Sequence, residues 1–173
     1  MFVGGGFPET HMDALADNRD LLTAIRNAIE NGLPAYAECG GLMYLSRSIR
    51  WRDRRREMAG VIPGNIHMQQ RPVGRGYVTL EVQNHPWGLQ PGARLHCHEF
   101  HHSSLTGLPD DADFAFEIVR GHGIDGKHDG YRIHNLLAGY AHQRHTAANP
   151  WVRHFLAFAA RHKARHPQPA FPS

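Results

Sequence analysis

The sequence is poor in lysine and in cysteine. Lysine occurs twice, at Lys127 and Lys163, so 17 of the 19 basic residues are arginine. With 16 acidic residues the formal charge is only +3, which permits an anionic partner without demanding one. Two cysteines, Cys39 and Cys97, are too few for a disulfide framework. No apolar run approaches the length that crosses a bilayer. The start, Met1-Phe2-Val3-Gly4, lacks the charged and apolar regions of a secretory signal, so the expectation is a cytoplasmic protein with no membrane partner. The basic run at 47–56 has no aromatic interleaving beyond Trp51, which argues against nucleic acid. It reads as a solvated loop, with an acidic partner as the other option.

What remains is an ordinary domain. An apolar fraction of 41% and a charged fraction of 20% exclude a disordered chain, and 173 residues suffice to bury a core. Histidine is the excess, 15 residues in all, and it invites a metal reading.

The chain opens with three apolar residues that run into Gly4-Gly5-Gly6. This reads as the end of a strand whose beginning is missing. Thr10 and Asp13 have capping-box-like spacing, and Leu21, Leu22, Ile25, Ala28 and Ile29 recur at helical spacing. Asn31-Gly32 with Pro34 supplies the stop. A short extended stretch at 34–38 then meets Cys39-Gly40-Gly41 and a second helical run, 42–45. Strand, helix, strand, helix is the alternation of an α/β sheet. The middle of the chain reads instead as strands without helices, at 76–83, 94–100 and 114–120, then 130–133 and 136–141. These predict an antiparallel extension of the sheet. A last helix is expected with Asn149 as N-cap, Pro150 at its first position, and Trp151, Phe155, Leu156 and Ala159 on its apolar face. The tail, 165–173, holds three prolines and is expected to fray.

Cys39 carries the strongest local signal. A nucleophile between a strand and a helix, followed by glycines, is the nucleophile-elbow arrangement. The turn exposes the sulfur at a sheet end, and the glycines allow strained backbone and close approach. The helix start favours thiolate and offers N–H groups to an oxyanion. A buried structural cysteine is the other reading, and on pattern alone the two stand level. Gly4-Gly5-Gly6 at a neighbouring strand end is a second source of N–H groups, or simply a tight turn.

Four blocks in this order resemble one family: Gly4-Gly5-Gly6-Phe7-Pro8-Glu9, Tyr36-Ala37-Glu38-Cys39-Gly40-Gly41-Leu42-Met43-Tyr44, His98-Glu99-Phe100-His101-His102-Ser103 and Ala138-Gly139-Tyr140-Ala141-His142. They look like the C-terminal class I glutamine amidotransferase domain of the cobyrinate or hydrogenobyrinate a,c-diamide synthases. The resemblance covers essentially the whole chain, 1–173, as one domain. It implies a flavodoxin-like α/β fold with a mixed, largely parallel sheet plus antiparallel strands, here N-terminally truncated. It implies a glutaminase in which Cys39 attacks the side-chain amide of glutamine and His142 is the acid/base. Gly5, Gly6 and Gly40 would form the oxyanion hole. His98, Glu99 and His101 belong to a family block without an assigned role. The implied partner is an ATP-dependent synthetase domain or subunit, which holds the corrin or tetrapyrrole and uses ATP and Mg²⁺. Nothing in this chain matches a phosphate-binding loop, so no cofactor is expected here.

The chain departs from the pattern at two places. The synthetase domain that the family's full-length chains carry before this one is not in the sequence, and Arg144 stands where many class I amidotransferases carry a glutamate two residues after the histidine, a glutamate that this synthase family generally lacks. The residue that orients His142 is therefore open. Two other readings stay open as well: an inactive domain that only docks a synthetase or tetrapyrrole, and a related cysteine γ-glutamyl hydrolase. For 96–102, strand alternation puts His96, His98 and His102 on one face, with Cys97, Glu99 and His101 on the other. A structural or substrate-adjacent role is preferred there to a metal. Cys97 reads as a packed strand residue.

Overall fold

The computed structural model describes residues 1–165, so the proline-bearing tail from 166 onward lies outside the described residues. In chain order the elements are β1 (Phe2–Val3), a 3-10 turn (Pro8–His11), α1 (Met12–Asp17), α2 (Arg19–Glu30), β2 (Ala35–Glu38), α3 (Gly40–Leu45), β3 (Ser46–Trp51), β4 (Arg54–Glu57) and β5 (Ile62–Met68). There follow β6 (Gly74–Val82), β7 (Arg94–His101), β8 (Ser103–Thr106), β9 (Asp113–Arg120), β10 (His128–Ile133), β11 (Leu136–Gly139) and α4 (Trp151–Arg165).

Seven strands form one sheet in the order β1-β2-β11-β10-β9-β6-β7. The mixed α/β sheet matches expectation, but its balance does not. Within this sheet only the β1–β2 and β2–β11 pairings are parallel among the described residues. The other four are antiparallel, because 74–139 runs as hairpins with no crossover helix.

Period-2 burial places this sheet between two layers. Ala35 and Ala37 of β2, with Leu136 and Ala138 of β11, face a core built with Leu22, Ile29, Leu42 and Leu45 of α2 and α3. Tyr36 and Leu137 face the opposite way, onto Trp151 and Phe155 of α4. There Tyr36 meets Trp87 at 5.0 Å and Trp151 at 4.9 Å between ring centroids. Burial of such aromatic side chains is worth roughly 2–3 kcal/mol each.

Helix boundaries follow local chemistry, with three corrections. The helix expected from Thr10 is interrupted: Asn18 starts α2, its side-chain oxygen accepting the Leu21 N–H at 3.3 Å. Thr10 donates instead to the Phe7 carbonyl. The stop at Asn31-Gly32 is present. Gly32 has φ +91°, and Leu33 and Gly32 donate to Ala28 and Ile29, the paired bonds of a Schellman end. At α4, the Asn149 side chain donates to Gln143 Oε1, and it is His145 Nδ1 that accepts the Val152 N–H at 3.3 Å. Leu156 is exposed, turned about 100° away from buried Phe155, while Val152 and Phe158 pack below.

The arginine run at 47–56 forms most of β3, the turn after it and most of β4, in place of the solvated loop expected. It belongs to a second sheet, ordered β4-β3-β5-β8, that the sequence reading missed entirely. All four side chains of β4 are solvent-exposed, and Arg54 and Arg56 pair with Asp13 of α1.

Candidate active site

Cys39 sits between β2 and α3 with φ +48° and ψ −103°, a conformation that favours glycine and that a side chain adopts only under constraint. The constraint is visible on both sides of the turn. The Cys39 N–H donates to the Gly139 carbonyl at 2.8 Å, tying it to the end of β11. A Cβ on Gly40 would lie against the backbone of Gly6, 2.7 Å from its nitrogen, and one on Gly41 would strike the Val3 carbonyl. The two glycines after the cysteine are therefore needed for close approach of the Gly4-Gly5-Gly6 loop.

His142 follows β11 as Cys39 follows β2, and those strands are parallel neighbours with Gly139 opposite Glu38. A Cβ on Gly5 would lie 2.7 Å from the His142 ring. The Gly5, Gly6, Gly40, Cys39 and His142 set thus gathers at one sheet end.

The electrostatics correct one expectation. The helix start does not make Cys39 a ground-state thiolate. Burial pushes its thiol up to about 11, against the Gly40 N–H, which pulls it down. His142 moves the other way. Burial lowers it below the usual histidine value, Glu38 opposes this, and His98 and His101 add to it. At neutral pH the pair is a thiol beside a neutral imidazole.

The His98–Ser103 block divides by face, as alternation predicts, except that His102 lies past the end of β7. His98 is on the exposed face. Its ring stacks on His142 at 4.9 Å and 12°, and its carbonyl accepts the His142 N–H at 2.8 Å. Phe100, on the same face, brings its carbonyl 3.9 Å from Cys39 Sγ. A cleft of about 610 Å³ beside the sheet end is lined by Tyr77, His96, His98, Phe100, His142 and Arg144, among others. Glu99 and His101 point inward. Glu99 accepts the N–H groups of His122 and Gly123 at 2.7 and 2.9 Å. Burial raises the Glu99 carboxyl, but hydrogen bonds from His101, Gly123 and His122 outweigh it and leave the group below its ordinary value. His101 stacks on Tyr140 at 3.7 Å and pairs through Nδ1 with the Ser103 carbonyl. Both side chains are buried. Among the described residues no group of three or more His, Cys, Asp or Glu is arranged to hold a metal ion. Cys97 is buried, its thiol pushed up to about 12 by that burial.

Two residues were missed from sequence. Glu38 is buried beside His142, with Oε2 at 3.7 Å from Nδ1. Asp129 is buried under the His142 segment and accepts the Tyr140 and Ala141 N–H groups, each at 2.9 Å. Burial lifts the Asp129 carboxyl to about 6, against those N–H donors. An acid raised in the folded state above its unfolded value near 3.8 stabilises below that value and loses the contribution as pH rises through 6. The stability of the wild type relative to Asp129→Asn is therefore expected to fall by about 2 kcal/mol between pH 4 and pH 7. Urea unfolding of both proteins at the two pH values checks this. A pH-independent difference would contradict it.

The model of the CobB/CobQ-like glutamine amidotransferase domain matches residues 1–150. The chain is 42% identical over 173 residues to the cobyrinate a,c-diamide synthase of Magnetococcus marinus, covering 98% of this chain and 36% of that protein. To the enzyme of the same name from Halobacterium salinarum it is 44% identical over 143 residues, covering 82% and 32%. The chain spans about a third of the length of the curated relatives it matches. Among solved structures it resembles a glutamine amidotransferase at 21% identity and TM-score 0.65, covering 92% of this chain and 78% of that one. It also resembles PurLQS from Thermotoga maritima at 14% identity and TM-score 0.63, covering 93% and 79%. At these identities the structural likeness bears on the fold alone, which is the α/β fold of class I glutamine amidotransferases.

Proposed function

The chain belongs to the CobB/CobQ-like glutamine amidotransferase domain family, and from that premise we propose that it hydrolyses glutamine and supplies ammonia for amidation of the a and c carboxylates of cobyrinate or hydrogenobyrinate. The observation that carries the reading is the strained Cys39 turn, tied to the end of β11 and pressed against the glycine loop that borders His142.

The steps follow from the charge states. His142, neutral, takes the Cys39 proton as Sγ attacks the side-chain amide carbon of glutamine. A C–S bond forms, the carbonyl electron pair moves to oxygen, and N–H groups of the Gly5–Gly6 loop and of Gly40 receive the oxyanion. The imidazolium returns its proton to the amide nitrogen. The C–N bond breaks, ammonia leaves, and a γ-glutamyl thioester remains. Water, deprotonated by His142, then releases glutamate and restores the thiol.

The second half of the reaction belongs to a synthetase domain or subunit. That partner would hold ATP and Mg²⁺, which would supply the activation of the tetrapyrrole carboxylates for amidation by ammonia. What supports this partner is the name shared by relatives about three times as long as the chain.

The purified chain is tested with glutamine and with a glutamine analogue bearing an electrophile at the γ position. Glutamate release and label on Cys39 are the expected results. Absence of both, alone and with an added synthetase, would overturn the reading. The pH profile is a second check. kcat/KM is expected to rise with a midpoint below 6.5 as His142 loses its proton, then stay level through pH 7–9 because Cys39 titrates only near 11. A rising limb centred above pH 7 would contradict the neutral pair.

A further inference from the structure

Neither residue after His142 carries a carboxylate: they are Gln143 and Arg144. A carboxylate nevertheless faces the ring from the neighbouring strand. Glu38, the last residue of β2, is 7% exposed. Its Oε1 is occupied twice, accepting the Tyr36 hydroxyl at 2.6 Å and the Gln143 N–H at 2.9 Å. Those two donors pin the carboxylate in one rotamer. Its other oxygen, Oε2, is 3.7 Å from His142 Nδ1.

We infer that Glu38 is the positioning residue for His142, supplying from the residue before the nucleophile the carboxylate that is absent after the histidine. This rests on the glutaminase reading above. A carboxylate at Nδ1 favours the tautomer with the proton there, which leaves the Nε2 lone pair as the base. It also stabilises the imidazolium that forms when the Cys39 proton is taken. The distance is longer than a hydrogen bond in this neutral state and shortens when the ring gains charge.

The remaining groups around the ring make Glu38 distinctive. From β7, His98 stacks on the ring and His101 lies below, and any charge on either opposes a charge on His142. Cys39 contributes a neutral thiol. Of the charged groups that act on the ring among the described residues, Glu38 alone favours the imidazolium. The same side chain ties the two loops together, since Gln143 follows His142 and Glu38 precedes Cys39. A purely structural role for Glu38 predicts only lost stability, so the test must read the imidazole itself.

The experiment is a histidine-ring NMR titration of the full chain, wild type against Glu38→Gln, with His142 assigned by its loss in His142→Gln. Glutaminase kinetics run in parallel. Glutamine at 38 keeps an acceptor for Tyr36 and Gln143 and removes the charge. The expected result is a His142 titration point lower by about one unit. With it, kcat falls by about 100-fold or more and KM changes by less than about threefold. Glu38→Asp, which keeps the charge but withdraws it by one methylene, is expected to lie between. An unmoved His142 titration with kcat within about threefold of wild type overturns the inference. If Glu38→Gln does not fold, the same two readings on Glu38→Asp decide in the same way. A wild-type chain with neither glutaminase activity nor label on Cys39, alone and with an added synthetase, would overturn the function on which this rests, while the titration alone would still report whether Glu38 holds the ring.

Discussion

Replacing Cys39 by alanine is expected to reduce glutamine hydrolysis by about ten-thousand-fold or more, while Cys97→Ala leaves it unchanged. Both thiols are buried, and burial raises both. Their difference is position. Cys97 lies in the middle of β7 within the apolar cluster around Trp87, where no turn opens a path to its sulfur. Cys39 lies at a turn with its backbone forced to positive φ, beside the loop that carries His142. The strain of the turn comes from a Cβ at positive φ, which Ala keeps and only Gly relieves. Cys39→Ala therefore removes the sulfur without changing the backbone demand, and the fold should stay intact with stability near that of the wild type. Steady-state glutamate release and thermal unfolding measured together check the pair. A Cys39→Ala chain with more than a few per cent of wild-type activity would remove Cys39 from the mechanism.

The second large effect concerns glycines that look alike in sequence. Gly40→Ala is expected to lower stability by about 2–3 kcal/mol and activity by about 100-fold or more. The added Cβ would meet Gly6 backbone atoms, including the nitrogen at 2.7 Å and the carbonyl carbon at 2.8 Å, and backbone cannot rotate away. Relief requires the glycine loop and the cysteine turn to separate, which dismantles the arrangement proposed for the oxyanion. Gly5→Ala acts differently. Its Cβ would press on the His142 ring at 2.7 Å, and that ring is already confined by Glu38 and His98. Its cost should fall mainly on kcat. Gly6→Ala is the control, since nothing lies within 4 Å of its Cβ, and it should be nearly silent in stability. Equal effects of Gly6→Ala and Gly40→Ala would contradict this account.

How much of this was readable before any coordinates differs from element to element. Helix α2 was legible because its signals are local: apolar residues at helical spacing and a stop at Asn31-Gly32 whose φ only glycine adopts freely. Strands β6, β7 and β9 to β11 were legible from alternation and turn residues. The second sheet was not. β5 contains Pro63 and Gly64, both poor strand residues, and β8 is four residues long. They hold as strands because β5 lies between β3 and β8, a pairing made across tens of residues. The cap of α4 was misread for a related reason. Asn149 has the right chemistry, but Gln143 engages it, and His145 stands in its place.

The site divides in the same way. Cys39, His142 and the glycines were readable as motifs, since a turn that exposes a nucleophile needs small residues next to it. Glu38 and Asp129 carry no such mark. Glu38 was one residue from the cysteine in plain view. Its position before the nucleophile and the missing carboxylate after His142 were the only hints. Its place at His142 exists because β2 and β11 pair in parallel with Glu38 opposite Gly139. Chain chemistry over a few residues therefore decided which residue types can react, where the helices stop and where the backbone must bend. Which buried carboxylate faces the imidazole, and whether the thiol rests protonated, was decided by strand pairing and burial. Those depend on groups about a hundred residues apart, whose meeting no local propensity specifies.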